Sequence, residues 1–330
     1  MTILIEKGAN QKDPGSRDEA GLNGLREDGV EKAELLGWLP RIHALGGLRA
    51  CFYPAFERWV RAVARGLRDG TILREELDET IRSLGPVYLE TTILGHVFSR
   101  PYGYAGDFET IEAFYRNTVS SDPRCARWDR YVQDQAVART VRNRRDYFKT
   151  LVKNAALQNG GRLDVLDLGS GPCRDVSEFL DENPDLDVHF TCVDQDRRAI
   201  AYAANVCARH PSRVEFVEAN IFRFKSPRTY GLVWSAGVMD YLDQRSAVLF
   251  LHTALASAAP GAEVVIGNFS PDNPSRNHIE VLARWYLHHR SPRELLALGE
   301  NAGLPLSGLR LGMESEGINL FLHARKVVRP

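Results

Sequence analysis

Residues 163–175, Leu-Asp-Val-Leu-Asp-Leu-Gly-Ser-Gly-Pro-Cys-Arg-Asp, limit what this chain can fold into more than any other stretch. Leu163 to Leu168 is a short apolar run carrying Asp164 and Asp167, and it breaks into Gly169-Ser170-Gly171. Pro172 pre-sets the φ angle of a first helical turn, and an amphipathic stretch opens at Asp175, Val176 and Phe179. Strand, glycine turn and helix in that order begin a nucleotide-type α/β unit, where a ligand sits beyond the carboxyl end of the strand.

The chemistry of the turn narrows the ligand. A dinucleotide fingerprint calls for a third glycine where Arg174 stands, and Pro172 removes an N–H that a pyrophosphate would use. Asp167 would repel a pyrophosphate but suits an ammonium group. An adenosyl ligand with an amino-acid tail and no phosphate meets those demands, which points to S-adenosylmethionine. The competing reading is a tight strand-to-helix turn that binds nothing.

Downstream, apolar strands alternate with helices: Asp187–Val193, Arg213–Ala219, Tyr230–Ala236 and Glu263–Asn268 as strands, with helices over Ala199–Ala208, Arg245–Ala258 and Pro292–Ala302. Pro260-Gly261 reads as the end of the second of these helices. Two last apolar runs, around Leu309–Met313 and Ile318–Ala324, flank Glu314-Ser315-Glu316-Gly317 and predict an antiparallel hairpin. The pattern predicts a mostly parallel seven-stranded sheet covered by helices on both faces. Residues 270–290 form an insertion with its own helix.

Before this unit, residues 1–30 are polar and aperiodic, and they read as a flexible arm. Residues 31–148 are helical in pattern, with a stripe of Phe52, Phe56, Trp59, Val60 and Val63, and a later one of Leu73, Leu77, Ile81 and Leu84. The division expected is therefore an arm (1–30), a helical cap (31–148) and a ligand-binding domain (149–330). Within the cap, Arg100–Glu109 has one proline, two glycines and three aromatics around Asp107. Two readings are open: a helix-linking turn with Asp107 as N-cap, or a lid whose Tyr102, Tyr104 and Asp107 face the ligand.

Composition excludes several classes. The chain has 330 residues with 42 basic and 43 acidic side chains interspersed, net charge −1, so no electrostatic footprint for nucleic acid or anionic membrane is present. No apolar run approaches the roughly 20 residues of a membrane span. The five cysteines, Cys51, Cys125, Cys173, Cys192 and Cys207, are scattered and form no C-x-x-C pair, which fits reduced thiols in the cytoplasm and no metal site.

Asp194 lies about twenty residues after the glycine turn at a strand end, where a carboxylate accepts from ribose hydroxyls; the N-cap of the next helix falls to Asp196. Asn220, ending the third strand, is placed for an adenine edge with Ile221 or Phe222 against its face, or is a plain turn residue. These motifs, Asp167-Leu-Gly-Ser-Gly, Asp194, Ala219-Asn220 and the closing hairpin, resemble class I S-adenosylmethionine-dependent methyltransferases over about residues 145–328. Gly169-Ser-Gly-Pro-Cys-Arg-Asp, Ser235-Ala-Gly-Val-Met-Asp-Tyr-Leu, Gly267-Asn-Phe-Ser-Pro, Pro101-Tyr-Gly-Tyr-Ala-Gly-Asp-Phe-Glu and Trp285-Tyr-Leu-His-His-Arg are similar to the subgroup that makes 3-hydroxypalmitic acid methyl ester, a bacterial signalling lipid. Met239, in place of an aromatic, and His288-His289, in place of a more apolar pair, depart from its pattern beside the acceptor pocket.

The resemblance implies a Rossmann-like methyltransferase fold and a cofactor-binding set of Asp167, Gly169, Ser170, Gly171, Asp194, Gln195, Asn220, Ile221, Ser235 and Ala236. Tyr102, Tyr104, Asp107, Tyr241, Asn268 and Tyr286 are the candidate catalytic residues. Asp240, Phe269, Arg276, His278, Trp285 and Arg290 are further candidates at the strand ends and in the insertion. The expected function is methyl transfer to a small or lipid-like acceptor, with the carboxylate of a 3-hydroxy fatty acid as the implied case and a place in secondary metabolism. Two other functions stay open. One is cyclisation of S-adenosylmethionine to azetidine-2-carboxylate and methylthioadenosine, which an aromatic pocket would assist by cation–π contact. The other is a non-catalytic regulator that binds the cofactor.

Overall fold

The computed structural model describes residues 30–226 and 228–326; the expected arm, residues 1–30, lies outside them apart from Val30. Eight helices precede the first strand among the described residues: α1 (Lys32–Ala44), α2 (Tyr53–Asp69), α3 (Arg74–Arg82), α4 (Pro86–Thr91), α5 (Ile93–Ser99), α6 (Phe108–Arg116), α7 (Pro123–Gln133) and α8 (Ala136–Gln158). The α2 stripe is a core face: Phe56, Trp59, Val60 and Val63 are all fully buried, and Phe56 stacks on Trp59 with 5.5 Å between ring centroids. Leu73 departs from the second stripe, since it caps α3 and stays 55% exposed. Gly85-Pro86 ends the α3 run, but Pro86 also opens α4, where its missing N–H costs nothing.

The rest alternates: β1 (Arg162–Leu168), α9 (Arg174–Glu182), β2 (Asp187–Asp194), α10 (Arg197–Val206), β3 (Val214–Glu218), β4 (Tyr230–Ser235), α11 (Gln244–Ser257), β5 (Ala258–Phe269), α12 (Arg276–Ala283), α13 (Pro292–Asn301), β6 (Leu309–Met313) and β7 (Asn319–Arg325). The seven strands run in the order β3-β2-β1-β4-β5-β7-β6. The first five are parallel, and β7 inserts antiparallel between β5 and β6. Pro260-Gly261 does not end a helix. α11 stops at Ser257, and β5 starts at Ala258 and runs through both residues with an irregular register opposite Tyr230–Leu232.

β1 pairs with β2 on one side and β4 on the other, so the chain reverses its winding there and leaves a crevice at the carboxyl ends of these strands. Apolar cores cover both faces of the sheet. Phe148, Val152, Val176, Phe179 and Ala203 pack on one, and Phe250, Leu251, Leu295 and Leu298 on the other. The insertion belongs to neither. Ile279, Val281, Leu282 and Trp285 are buried in the core of the N-terminal helices. Arg74 donates to the carbonyls of Glu280 and Val281, and Arg284 pairs with Asp78. The helical layer and the sheet also share α8, which runs unbroken across the boundary expected at 148/149. No helix among the described residues is long and apolar enough to cross a membrane.

Candidate active site

One cavity of about 400 Å³ lies at the carboxyl ends of β1, β2 and β4 and extends beneath the helical layer. Gly169 and Ser170 donate to the Val193 carbonyl at 2.8 and 3.2 Å, which ties the glycine turn to the end of β2. Gly169 has φ +73°, and a Cβ there would sit 2.2 Å from a methyl of Val238. The backbone is thus as close to the β4 side as glycine allows. Arg174, in place of a third glycine, turns outward. Its Nε donates to both oxygens of Glu112 on α6, at 2.6 and 2.7 Å, and clamps the helical layer to the sheet.

Asp194 Oδ2 accepts from Gly171 N at 3.0 Å and Oδ1 from Asp196 N at 2.9 Å. Each carboxylate oxygen keeps a lone pair for a ligand hydroxyl. Asp196 caps α10, as expected, by accepting from Arg198 N. Asn220 Oδ1 is taken by Phe222 N at 3.0 Å, an Asx-type turn, while its Nδ2 donates to Gln195 at 3.1 Å. The two readings of Asn220 therefore combine: it shapes the turn and still lines the cavity beside Ile221.

The segment Arg100–Asp107 lies over this cavity. Asp107 caps α6 by accepting from Thr110 N, so the turn reading holds for that residue. Tyr104 holds the lid reading, because its hydroxyl donates to Asp196 at 3.1 Å and its side chain lines the cavity. Arg198 braces the segment from outside, with its guanidinium 4.5 Å from the Tyr102 ring and a bond to the Tyr102 carbonyl. At the far end Tyr241 donates to the Ala105 carbonyl at 2.9 Å and accepts from Trp285 Nε1 at 2.8 Å. Gly106 (φ +67°) makes this fit possible, since a Cβ would lie 2.3 Å from Trp285. The segment thus touches both the Asp196 side of the cavity and the Tyr241–Trp285 side.

Asp167, Gly169, Ser170, Gly171, Asp194, Gln195, Asn220, Ile221, Ala236, Tyr104 and Tyr241 line the cavity. Five others assigned to cofactor binding or catalysis do not, and neither do the further candidates Arg276, His278 and Arg290. Ser235 is fully buried and donates to the Leu168 carbonyl at 2.7 Å, joining β4 to β1. Tyr102 points to Glu109. Asp107 is fully buried against His96, whose Nε2 lies 2.9 Å from its Oδ2. Asn268 is fully buried and donates to Asp240 at 3.0 Å while accepting from Arg290 at 2.7 Å. Tyr286 is 57% exposed. Ser235, Tyr102, Asp107 and Asn268 are held by hydrogen-bond partners of their own, and Tyr286 stays exposed, which motif spacing does not reveal.

Asp240 is the group that the Asn268 network serves. Its Oδ1 accepts from Asn268 Nδ2 and, at 2.8 Å, from Phe269 N, and the residue lines the cavity. Burial pushes its carboxyl up to about 7, with the Phe269 amide and the charges of Arg144 and Arg290 opposing. Burial also raises Asp175 to about 6 and lifts Asp167, which Asp175 and Asp194 raise further. Asp167 also stands within 4.8 Å of the thiols of Cys173 and Cys192. The hydrogen bond with Cys192, and then burial, raise the Cys173 thiol, while at Cys192 that bond opposes the rise that burial causes.

The side chain that sequence reading missed is Arg144. It projects from α8 into the cavity, 6% exposed. The signal was present: Val137, Val141, Arg144, Phe148 and Val152 fall at helical spacing on the buried face, so an arginine interrupts an apolar stripe.

S-adenosylmethionine fits this site on the chain's own terms. Two buried polar atoms, Ser170 Oγ and Arg144 Nε, have no partner, the glycine turn forms a cradle, and carboxylates outnumber cations around the cavity. A ligand with a sulfonium, an ammonium and a carboxylate matches that set.

Residues 165–261 match a family model described as a methyltransferase domain. The chain carries such a domain: it is a transferase, and its cofactor is S-adenosylmethionine. Among solved structures, a possible exported protein from Bordetella parapertussis is 16% identical with a TM-score of 0.57, over 91% of this chain and 98% of that one. That likeness shows the fold. The N-methyltransferase NodS from Bradyrhizobium japonicum in complex with S-adenosyl-L-homocysteine is 16% identical with a TM-score of 0.43, over 66% of this chain and 97% of its own. The 1,6-didemethyltoxoflavin-N1-methyltransferase of Burkholderia thailandensis is 19% identical with a TM-score of 0.43, over 60% and 86%. No curated protein matches the chain.

Proposed function

We propose that the protein moves the methyl group of S-adenosylmethionine to a small or lipid-like acceptor whose reacting end enters the cavity under Tyr104–Gly106. The acceptor class we put forward is a 3-hydroxy fatty acid, methylated on its carboxylate. One observation carries this reading. The cavity is lined by the glycine turn and also by Ile111, Tyr115, Phe269, Trp285 and Leu287, so donor and acceptor places share one chamber. When bound, the cofactor supplies an electrophilic methyl group on a sulfonium.

The chain's own residues do the rest. Asp194 and the glycine turn hold the ribose end, and Asp167 offers a carboxylate to the ammonium. The aromatic side chains that line the cavity would offer a bound sulfonium cation–π contact. The lid excludes water and holds the two reactants in line, an arrangement worth up to about 7–11 kcal/mol when geometry is ideal. A carboxylate acceptor is already ionised near neutral pH and needs no base. Asp240, raised to about 7, holds a proton over much of that range and so repels such an acceptor little. We read residues 31–148 as the cap and 149–330 as the catalytic domain, with α8 shared. The five free cysteines support the cytoplasm as the setting, and the acceptor class supports a role in secondary metabolism.

A second reading has its own observation. About 400 Å³ is near the low end for small-molecule sites, roughly 300–1,000 Å³, and suits a reaction with no second substrate. Incubation of the pure protein with S-adenosylmethionine, with and without 3-hydroxypalmitate, separates the readings by product. S-adenosylhomocysteine and a methyl ester formed only with the fatty acid support methyl transfer to it. Methylthioadenosine formed without it means cyclisation. Tight cofactor binding with neither product points to a regulator.

A further inference from the structure

We propose that Asp240 selects the acceptor: as a neutral acid, it donates a hydrogen bond from Oδ2 to one oxygen of the acceptor's carboxylate and leaves the other oxygen to attack the methyl group. The proposal rests on the acceptor reading above. Asp240 is 2% exposed and lines the cavity, and its two carboxyl oxygens differ. Oδ1 accepts from Asn268 Nδ2 at 3.0 Å and from Phe269 N at 2.8 Å, so both of its lone pairs are taken. Oδ2 has no partner among the described residues and is the oxygen left to the cavity. Two donors on Oδ1 make it the carbonyl oxygen of a neutral acid, which puts the proton on Oδ2.

The surroundings favour that proton. Arg290 directs its guanidinium to the Met239 and Leu242 carbonyls and to Asn268 Oδ1, and Arg144 on α8 reaches the Ala236 carbonyl. Both charges act on Asp240 without pairing with it, and burial outweighs them. The neighbouring Tyr241 hydroxyl is engaged by Ala105 and Trp285. His288 meets Asp240 through its backbone N–H, which donates to the Asp240 carbonyl at 2.7 Å. A carboxylic acid kept neutral in this way donates to an oxyanion, and an O–H···O⁻ bond is among the stronger hydrogen bonds. A hydroxyl or amine acceptor has no oxyanion to offer, and would call for the ionised form as a base.

Calorimetry with 3-hydroxydecanoate, on the full chain loaded with S-adenosylhomocysteine, tests this between pH 6 and pH 8.5, where the ligand stays ionised. The affinity of the unaltered protein should fall as Asp240 ionises, approaching tenfold for each pH unit above about 7. Asp240→Asn sets an amide N–H in the place of Oδ2–H and cannot ionise. At pH 6 it should lose roughly 3-fold or less, as one donor replaces another of the same geometry. Its affinity should then hold to pH 8.5, which separates Asp240 from Asp167 and Asp175 in the same cavity. Asp240→Leu removes the donor and should weaken binding at pH 6 roughly 10- to 150-fold, the range of a hydrogen bond to a charged group. If the Leu variant does not fold, the two pH profiles decide. Equal losses in the Asn and Leu variants, or a flat profile for the unaltered protein, would overturn the proposal. An affinity that rises with pH would overturn it in favour of an ionised Asp240, the form that serves a hydroxyl or amine acceptor. If the unaltered protein binds no 3-hydroxydecanoate at any pH, the acceptor reading falls and the proposal with it, a failure distinct from a bound fatty acid that ignores Asp240.

Discussion

At the scale of single residues, the site depends on carboxylates whose environments differ. Asp194 sits at a strand end with two backbone donors, and it was readable because strand-end position and spacing after the glycine turn are local properties. Asp194→Ala should weaken S-adenosylmethionine binding roughly 10- to 150-fold by calorimetry; unchanged affinity would remove the ribose assignment. Asp240 is different, since its raised carboxyl comes from burial and from Asn268 and Phe269, which reach it from another strand. With a carboxylate acceptor, kcat/KM should fall as pH rises through about 7, because ionised Asp240 then faces an anion. Asp240→Asn keeps the shape and cannot ionise, so its profile should stay flat across that range. Asn268 was chosen from the sequence as a catalytic group, and the structure makes it a donor to Asp240 and an acceptor from Arg290 instead.

At the scale of elements, the lid and α8 decide how the chamber closes. The Arg100–Asp107 composition signalled an irregular, shaped loop, but its partners come from three distant places: Asp196, Tyr241 and Trp285. Tyr104→Phe removes the bond to Asp196 and leaves the ring in place. Stopped-flow release of S-adenosylhomocysteine should quicken by roughly 2- to 10-fold, the worth of one ordinary hydrogen bond. Equal release rates would mean that this contact does not hold the lid. The insertion was expected beside the acceptor. Its helix instead completes the core of the N-terminal helices, and only its end, at Trp285 and Leu287, reaches the chamber. β5 begins earlier than Pro260-Gly261 suggested because pairing with β4 and β7 overrides the local preference of those residues.

At the scale of the whole molecule, several buried carboxyls surround the cavity, and they link ligand binding to pH. Asp175 and Asp240 are raised from 3.8 to about 6 and about 7, and Asp167 is raised as well. Groups raised on folding contribute stability that is complete below about pH 4 and lost as pH rises through about 6 and 7. A cationic ligand reverses this by favouring their ionised forms. The rise in melting temperature caused by saturating S-adenosylmethionine should therefore be larger at pH 8 than at pH 5.5. S-adenosylhomocysteine, whose sulfur is uncharged, should show a smaller difference. Equal shifts for the two ligands at both pH values would mean that the buried carboxylates do not sense the sulfonium.

What this sequence determines alone is what runs along the chain. Alternating strands and helices, a glycine turn after the first strand, and carboxylates at strand ends are local patterns, and the parallel sheet and cofactor follow from them. Which side chains face the cavity was decided only by tertiary structure. Ser235 and Asp167 both lie at strand ends in recognisable motifs, yet one is spent on the Leu168 carbonyl and the other lines the chamber. Arg144 carries no motif at all, and it enters the site because α8 packs across the sheet and brings it to the end of β4. A side chain's partners are set by segments far away in sequence, so its role became legible only when those segments met.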